Sequence, residues 1–201
     1  MADHDRIEER TDEELAREAR AGSGRSFEEL ARRYKRRLFA YLRSKVGSDQ
    51  DAEDMVQDTF LKLYRNIGSY DPAYRFTTWL YTSANRLAID AHRKKAVVIT
   101  RIDVEDLGGY QEPTPATAAE AGASGLWNAA RGLGETRFQV LWLRYGEDMS
   151  IEEIAAVIGR TRLAVRVLLH RARAALIERV GPGTGRAKAL EPGVAGETAG
   201  E

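Results

Sequence analysis

The chain has 201 residues, with 31 lysines and arginines against 31 aspartates and glutamates, 3 histidines, and a formal net charge of zero. That length allows one ordinary core or two small ones, and balanced charge excludes indiscriminate attraction to polyanions, so where the charges sit matters more than their sum. The lack of cysteine excludes disulfides, thiolate zinc sites and a cysteine nucleophile; a polar, acidic start without a signal peptide's apolar core, and no apolar run long enough to span a bilayer, lead us to expect a cytoplasmic protein without membrane insertion.

The pattern along the chain predicts helices throughout. Thr11-Asp12-Glu13-Glu14 reads as a capping box that opens a first helix ending near Gly22. Ser26-Phe27-Glu28-Glu29 repeats the signal and opens a longer helix, whose stripe of Phe27, Leu30, Ala31, Tyr34, Leu38, Tyr41, Leu42 and Val46 runs to Gly47. A third helix starts near Ser48 or Asp49, with Ala52, Met55, Val56, Phe60, Leu63 and Ile67 on its apolar side and Asp51, Asp54, Gln57 and Asp58 opposite. Gly68-Ser69-Tyr70-Asp71-Pro72 breaks the pattern. The stretch from Phe76 to Lys95 resumes it, with Leu80, Ala84, Leu87, Ala88 and Ala91 facing inward. Residues 96–125 read as a linker rich in glycine, proline and small residues. Beyond it come short helices through Leu126–Leu133 and Phe138–Tyr145, and a capping box at Ser150-Ile151-Glu152-Glu153 that opens a helix ending at Gly159. An arginine-rich helix over 162–178 follows, and residues 181–201 lack the apolar surface needed to order. The fold class expected is all-α, in two small helical domains at 11–95 and 126–180, joined by the 96–125 linker and followed by the tail.

Three constellations carry chemistry. Trp79, Thr82, Ser83, Asn85 and Arg86 turn away from the inward stripe of their helix, which ends in Arg93, Lys94 and Lys95. Such stacking and hydrogen-bonding groups suit unpaired bases, although basic residues in a last turn also suit the helix dipole alone. Over 162–178, Val165, Leu169, Ala172 and Leu176 form the buried stripe, leaving Arg162, Arg166, His170, Arg171 and Arg173 toward solvent with Glu178 the one acid. A one-signed helix after a short glycine-containing turn is the shape of a helix-turn-helix that reads the major groove, against the plainer reading of a solvated helix. The third constellation is acidic. Asp51, Asp54 and Asp58, with Met55 and Gln57 beside them, form a docking face for a basic partner or a solvated face; without a glutamate-histidine pair three residues apart they do not suit a bundle metal site, and neither metal nor other cofactor is expected. The basic residues between Arg25 and Lys45 form an opposite, positive face. The histidines lie in unrelated segments, and no nucleophile motif or phosphate-cradling loop is present, so no enzyme is expected.

Asp51-Ala52-Glu53-Asp54-Met55-Val56-Gln57-Asp58-Thr59-Phe60, then Phe76-Thr77-Thr78-Trp79-Leu80-Tyr81 and Asn85-Arg86-Leu87-Ala88-Ile89-Asp90, and far downstream Ser150-Ile151-Glu152-Glu153-Ile154-Ala155 with His170-Arg171-Ala172-Arg173, closely resemble the extracytoplasmic-function group of bacterial RNA polymerase sigma factors. The resemblance implies a promoter-recognition subunit without catalytic activity, in which the first domain is sigma region 2 and the second is region 4. Asp51, Asp54, Met55, Gln57 and Asp58 would meet the clamp helices of the polymerase largest subunit, with the flap as a further polymerase contact. The loop 68–75, with Tyr70 and Tyr74, matches the place where the family captures a flipped base, and Trp79, Thr82, Ser83, Asn85, Arg86, Arg93 and Lys94 would face the minus-ten element. Arg162, Arg166, His170, Arg171 and Arg173 would face the minus-thirty-five element. Core polymerase, promoter DNA and an anti-sigma factor are the implied partners.

The chain departs from the family pattern at Arg86, where asparagine is usual, at Val167 and Leu168, where a small hydroxyl and an arginine are common, and at Leu133-Gly134-Glu135, which replaces a proline-containing turn. Leu163 and Val167 make an apolar strip away from the buried stripe. Two other functions compete with a sigma factor: a stand-alone helix-turn-helix regulator, which needs a dimerisation or sensing module, and an adaptor that binds protein alone.

Overall fold

The computed structural model describes the backbone of residues 7–99 and 118–180 and the side chains of residues 7–93 and 125–180. The central part of the expected linker and the 181–201 tail lie outside the described residues. Helices α1 (Asp12–Arg20), α2 (Gly24–Arg43), α3 (Asp49–Arg65) and α4 (Phe76–Ile99) form the first module, with one 3₁₀ turn at Ile67–Ser69. Helices α5 (Ala118–Arg131), α6 (Glu135–Leu141), α7 (Ile151–Ile158) and α8 (Arg162–Val180) form the second, with a π turn at Trp142–Gly146. No strand occurs among the described residues.

The starts of these helices follow from local chemistry. The Thr11 hydroxyl accepts from the Glu14 amide at 3.2 Å while the Glu14 carboxylate accepts from the Thr11 amide at 2.8 Å, so each satisfies an orphan donor of the other. Ser150 and Glu153 repeat the exchange at the start of α7. The start of α2 differs from expectation. Its cap is Ser23, whose hydroxyl accepts from the Ser26 amide at 3.2 Å. Ser26 lies one turn inside, buried, and donates to Glu18 at 2.6 Å, so its hydroxyl ties α2 to α1. Glu29 is likewise taken up by Arg32 and Arg33 and caps nothing. The expected linker is also helical at both ends. Helix α4 continues to Ile99 and α5 begins at Ala118. At the α5 end Ala118, Ala119, Ala121 and Ala123 sustain a helix without an amphipathic pattern, and at the α4 end Ala96-Val97-Val98-Ile99 is apolar without a break, so periodicity marks neither end.

The α2 stripe of Leu30, Tyr34, Leu38, Tyr41 and Leu42 is buried against Leu15 and Ala16 of α1, Val56 and Leu63 of α3, and Phe76, Leu80 and Ala84 of α4. Each of the buried leucines, Val56 and Phe76 contributes about 1.5–3 kcal/mol by leaving water. Phe76 meets Tyr34 at 5.6 Å and Tyr70 at 6.1 Å between ring centres, locking the start of α4 to α2 and to the loop before it. In the second module Phe138 and Trp142 stack at 5.7 Å, with Trp127 4.8 Å from Trp142. Val165, Leu169, Ala172 and Leu176 of α8 are all buried, as the stripe predicts. Gly159 closes α7 at φ 64° and Gly134 opens α6 at φ 92°, conformations that L side chains rarely adopt. Gly134 therefore fits its own turn, one that a proline, fixed near φ −65°, could not make.

Candidate functional site

The acidic face of α3 is open. Ala52, Val56, Thr59 and Leu63 are buried, which turns Asp54, Gln57 and Asp58 outward as exposed side chains and leaves Asp51 and Met55 half-buried. Ser48 caps the helix by accepting from the Asp51 amide at 3.0 Å, and Gln50 donates to Asp54 at 3.1 Å. Asp49 and Asp51 in the first turn sit at the positive end of the helix dipole. Between α2 and α3 runs a groove of about 840 Å³, with Lys35 and Arg36 on one wall, Glu53 and Gln57 on the other, and Phe39 and Phe60 in its floor. Leu61 and Tyr64 stand exposed at its edge, at 43% and 54%. An apolar floor between walls of opposite sign suits an amphipathic helix from a partner.

The positive face expected between Arg25 and Lys45 is mostly used inside the molecule. Arg33 reaches Glu29 at 2.7 Å and Asp12 at 2.8 Å, and Arg43 pairs with Asp49. The hydrogen bonds from Arg32 and Arg33 hold the Glu29 carboxyl at about 2 despite its burial. Arg37 and Lys45 point to the second module. This pairing leaves Lys35 and Arg36 on the groove wall as the exposed remainder of that face's central stretch.

Helix α4 has two covered sides. Leu80, Ala84 and Ala88 face the first module's core as expected, but Thr78, Tyr81 and Asn85 are buried too, because α7 and the π turn lie along them. The Asn85 amide donates to the Val157 carbonyl at 3.0 Å and the Thr78 hydroxyl to Glu153 at 2.9 Å. Arg75 donates to the Asp148 carbonyl at 3.0 Å, and the Trp142 indole to the Tyr81 hydroxyl at 3.4 Å. The expectation that Asn85 faces outward with Trp79 and Arg86 is therefore corrected. Asn85 is only 6% exposed, and its amide is spent on a helix-terminal carbonyl of the other module. Tyr70 is corrected as well. At 1% exposure it belongs to the core, donating to the Tyr74 carbonyl at 2.8 Å, and burial pushes its phenol up to about 12. Tyr74 is the ring of that loop that stands free, 64% exposed. Trp79, Thr82 and Ser83 are half-buried, and Arg86 and Arg93 are exposed. The side chain of Lys94 falls outside the described residues.

In the contact between modules sits a group that no sequence motif singles out. Glu147 follows the π turn with its carboxylate enclosed, one oxygen 2.6 Å from an Arg37 nitrogen and the other accepting from Arg37 Nε at 3.1 Å. Arg37 also donates to the Gly146 carbonyl at 3.1 Å. Burial raises the Glu147 carboxyl above its ordinary value, outweighing the Tyr81 hydroxyl and the Arg37 charge that favour its ionised form. Lys45, buried and lowered by that burial, reaches Glu135 at 3.1 Å. Polar residues fit both a wet surface and a paired interface, so composition alone does not tell them apart.

Helix α8 presents its expected face. Arg162, Arg166, His170 and Arg171 are exposed and Arg173 half-buried, on the side away from the buried stripe. Arg162 lies 3.5 Å from Glu152 of α7. The Thr161 hydroxyl accepts from the Ala164 amide at 3.2 Å and caps the helix. Leu163 is 71% and Val167 41% exposed, so the apolar strip is present. Among the described residues no cluster of histidine and carboxylate side chains is arranged to hold a metal, and no helix is long and apolar enough to cross a membrane.

Known proteins have the same two regions in the same order. The Sigma-70 region 2 family profile matches residues 30–97 and the Sigma-70, region 4 profile matches residues 125–176. The RNA polymerase sigma factor CarQ of Myxococcus xanthus is 34% identical over 162 residues, covering 81% of this chain and 93% of CarQ. The ECF RNA polymerase sigma factor BldN of Streptomyces coelicolor is 28% identical over 163 residues, 79% of this chain and 62% of BldN. The solved structure of CnrH in complex with the cytosolic domain of CnrY superposes with a TM-score of 0.57 at 26% identity, covering 84% of this chain and 96% of CnrH. With both profiles in order and a relative at 34% identity across four fifths of its length, the chain belongs to the ECF group of sigma-70 family RNA polymerase sigma factors, non-catalytic subunits that give a bound polymerase its promoter-specific initiation.

Proposed function

We propose that the two modules divide promoter recognition, region 2 (residues 11–95) docking on core polymerase and opening the minus-ten element, region 4 (126–180) reading the minus-thirty-five element. The observation that carries this division is the face of α8: behind the left-handed turn at Gly159 it turns arginines and a histidine outward along its length while its apolar stripe is buried. Arg166 and Arg171 contact base edges and phosphates in the major groove, with Arg162, His170 and Arg173 as flanking cations. Asp54, Gln57 and Asp58, with Asp51 and Met55 at their margin, dock on the clamp helices of the polymerase largest subunit.

Trp79, Thr82, Ser83 and Arg86 with Tyr74 stack on and hydrogen-bond the separated strand. Unstacking a base costs a few kcal/mol, which a pocket and a cationic platform offset. Asn85 joins them only after α7 leaves it, since its amide is committed to Val157 in the closed arrangement. A weak contact at each element suffices, because the linker keeps the second at high effective concentration once the first is made. CnrH, solved in complex with the cytosolic domain of CnrY, supports a protein partner for this chain, and we assign that place to an anti-sigma factor.

Core polymerase reconstituted with the full chain tests the proposal. Transcripts are expected to start at a fixed distance from two spaced elements, with Arg166→Ala abolishing dependence on the upstream one. A chain that binds duplex DNA as a dimer and never joins core polymerase would be the stand-alone regulator instead.

A further inference from the structure

Leu163 is the most exposed of the large apolar side chains described, at 71%, and Val167 one turn on is 41% exposed. Neither contributes to the core; the buried side of α8 belongs to Val165, Leu169, Ala172 and Leu176. Both lie on the exposed side of α8, near the end that follows the turn, with Arg166, His170 and Arg171 as their neighbours about one turn away. An isolated aliphatic pair hemmed by arginines is a poor centre for a protein contact, because such centres are broad and depleted of charge. It is a good fit for a duplex, whose phosphates take the arginines and whose major groove offers one apolar group, the C5-methyl of thymine.

We infer that Leu163 and Val167 make the upstream promoter element thymine-dependent by packing on thymine methyl groups in the major groove. Four residues of helix advance about 6 Å, against 3.4 Å per base-pair step, so the pair covers thymines within about two steps of each other on either strand. Arg166, between them in sequence, supplies the hydrogen bonds that fix register, while the methyl contacts discriminate thymine from cytosine without a hydrogen bond of their own. The inference rests on α8 being the helix that enters the groove.

Deoxyuridine in place of thymine removes the methyl and leaves every hydrogen-bonding group in place, so it tests this contact alone. Holoenzyme made from core polymerase and the full chain is given its own mapped promoter, with each thymine of the upstream element replaced singly by deoxyuridine. Open-complex formation is expected to fall about fourfold at one or two positions, the worth of burying one methyl group. The doubly substituted Leu163→Ala, Val167→Ala chain is expected to initiate more weakly on the natural promoter and to treat thymine and deoxyuridine alike. Since Leu163 is outside the core, an unchanged melting temperature and unchanged core-polymerase binding accompany that result.

Equal initiation on thymine and deoxyuridine at every position, or an upstream element without thymine, overturns the inference. So does a double variant that keeps the discrimination while losing affinity for an anti-sigma factor or for core polymerase, which would assign the strip to a protein. Arg166→Ala and Arg171→Ala separate the two levels. If they abolish dependence on the upstream element while thymine and deoxyuridine stay equal, α8 reads DNA and only the methyl contact is wrong; if they change nothing, the placement of α8 fails first.

Discussion

Helices α3 and α4 lie side by side in the first module and carry its two candidate surfaces, one open and the other with Asn85 covered while Trp79, Thr82 and Ser83 are half-buried and Arg86 exposed. Asp54, Gln57 and Asp58 of α3 face solvent, whereas Thr78, Tyr81 and Asn85 of α4 are sealed under α7 and the π turn. The difference is one of order. The proposed docking face is available to a partner at once, but Asn85 cannot hold Val157 and touch a base together, so the proposed strand-binding face is complete only if α7 withdraws from it.

That contrast can be broken at its foundation or refined at its edges. The largest effect is expected from Phe76→Ala, which removes the ring joining α2, α4 and the 68–75 loop and costs about 3–5 kcal/mol in thermal or denaturant unfolding, disturbing both helices together. Arg37→Ala or Glu147→Ala should separate them: loss of the central ion pair and its hydrogen bonds is expected to cost the contact between modules about 1–3 kcal/mol, Arg37 being 42% exposed and able to rehydrate. Fluorescence transfer between labels on α3 and α8 should fall and hydrogen exchange along α4 should quicken, with core-polymerase binding kept. Conversely, Asp54→Arg should lower core-polymerase affinity by about tenfold or more while shifting stability by less than about 0.5 kcal/mol, as expected at an exposed position; a matching loss in the Arg37 variant would erase the distinction between the faces.

The smallest effect concerns pH. Glu29 is held at about 2 by Arg32 and Arg33, against 4.5 ordinarily, so its contribution to stability is complete above 4.5 and is lost as pH falls toward about 2. In Glu29→Gln that part of the acid limb should flatten in a series of urea titrations. Glu147, raised by burial, acts in the opposite sense: its contribution is present below its unfolded value and lost as pH rises through its folded one, a trend that Glu147→Gln should remove.

Most of the fold was legible because its signals are local. The boxes at Thr11 and Ser150, the stop at Gly159 and the α8 stripe depend on residues within a turn or two of each other. The errors lie where a partner is distant. Ser26 looks like a cap until Glu18 claims its hydroxyl, and Asn85 looks like a base-reading group until Val157 claims its amide. Glu147 has no signature at all, since an acid after a glycine usually marks a wet turn. Tyr70 was misplaced because a ring in a proline-containing loop gives no sign of whether it folds back on Phe76 and Trp79 or stands free like Tyr74. For the acidic face of α3 and the cationic face of α8 exposure itself is the feature, so the sequence was enough to locate both.

The bond from Asn85 to Val157 joins residues 72 apart in one chain, which, on the proposed role of α4, makes α7 a tethered competitor for a single strand. A competitor on the same chain cannot be diluted away, and apparent affinity for the strand is reduced by the fraction of time the site is occupied from within. On the proposed role of α4, a single strand meets Asn85 already occupied from within, and only withdrawal of α7 frees it.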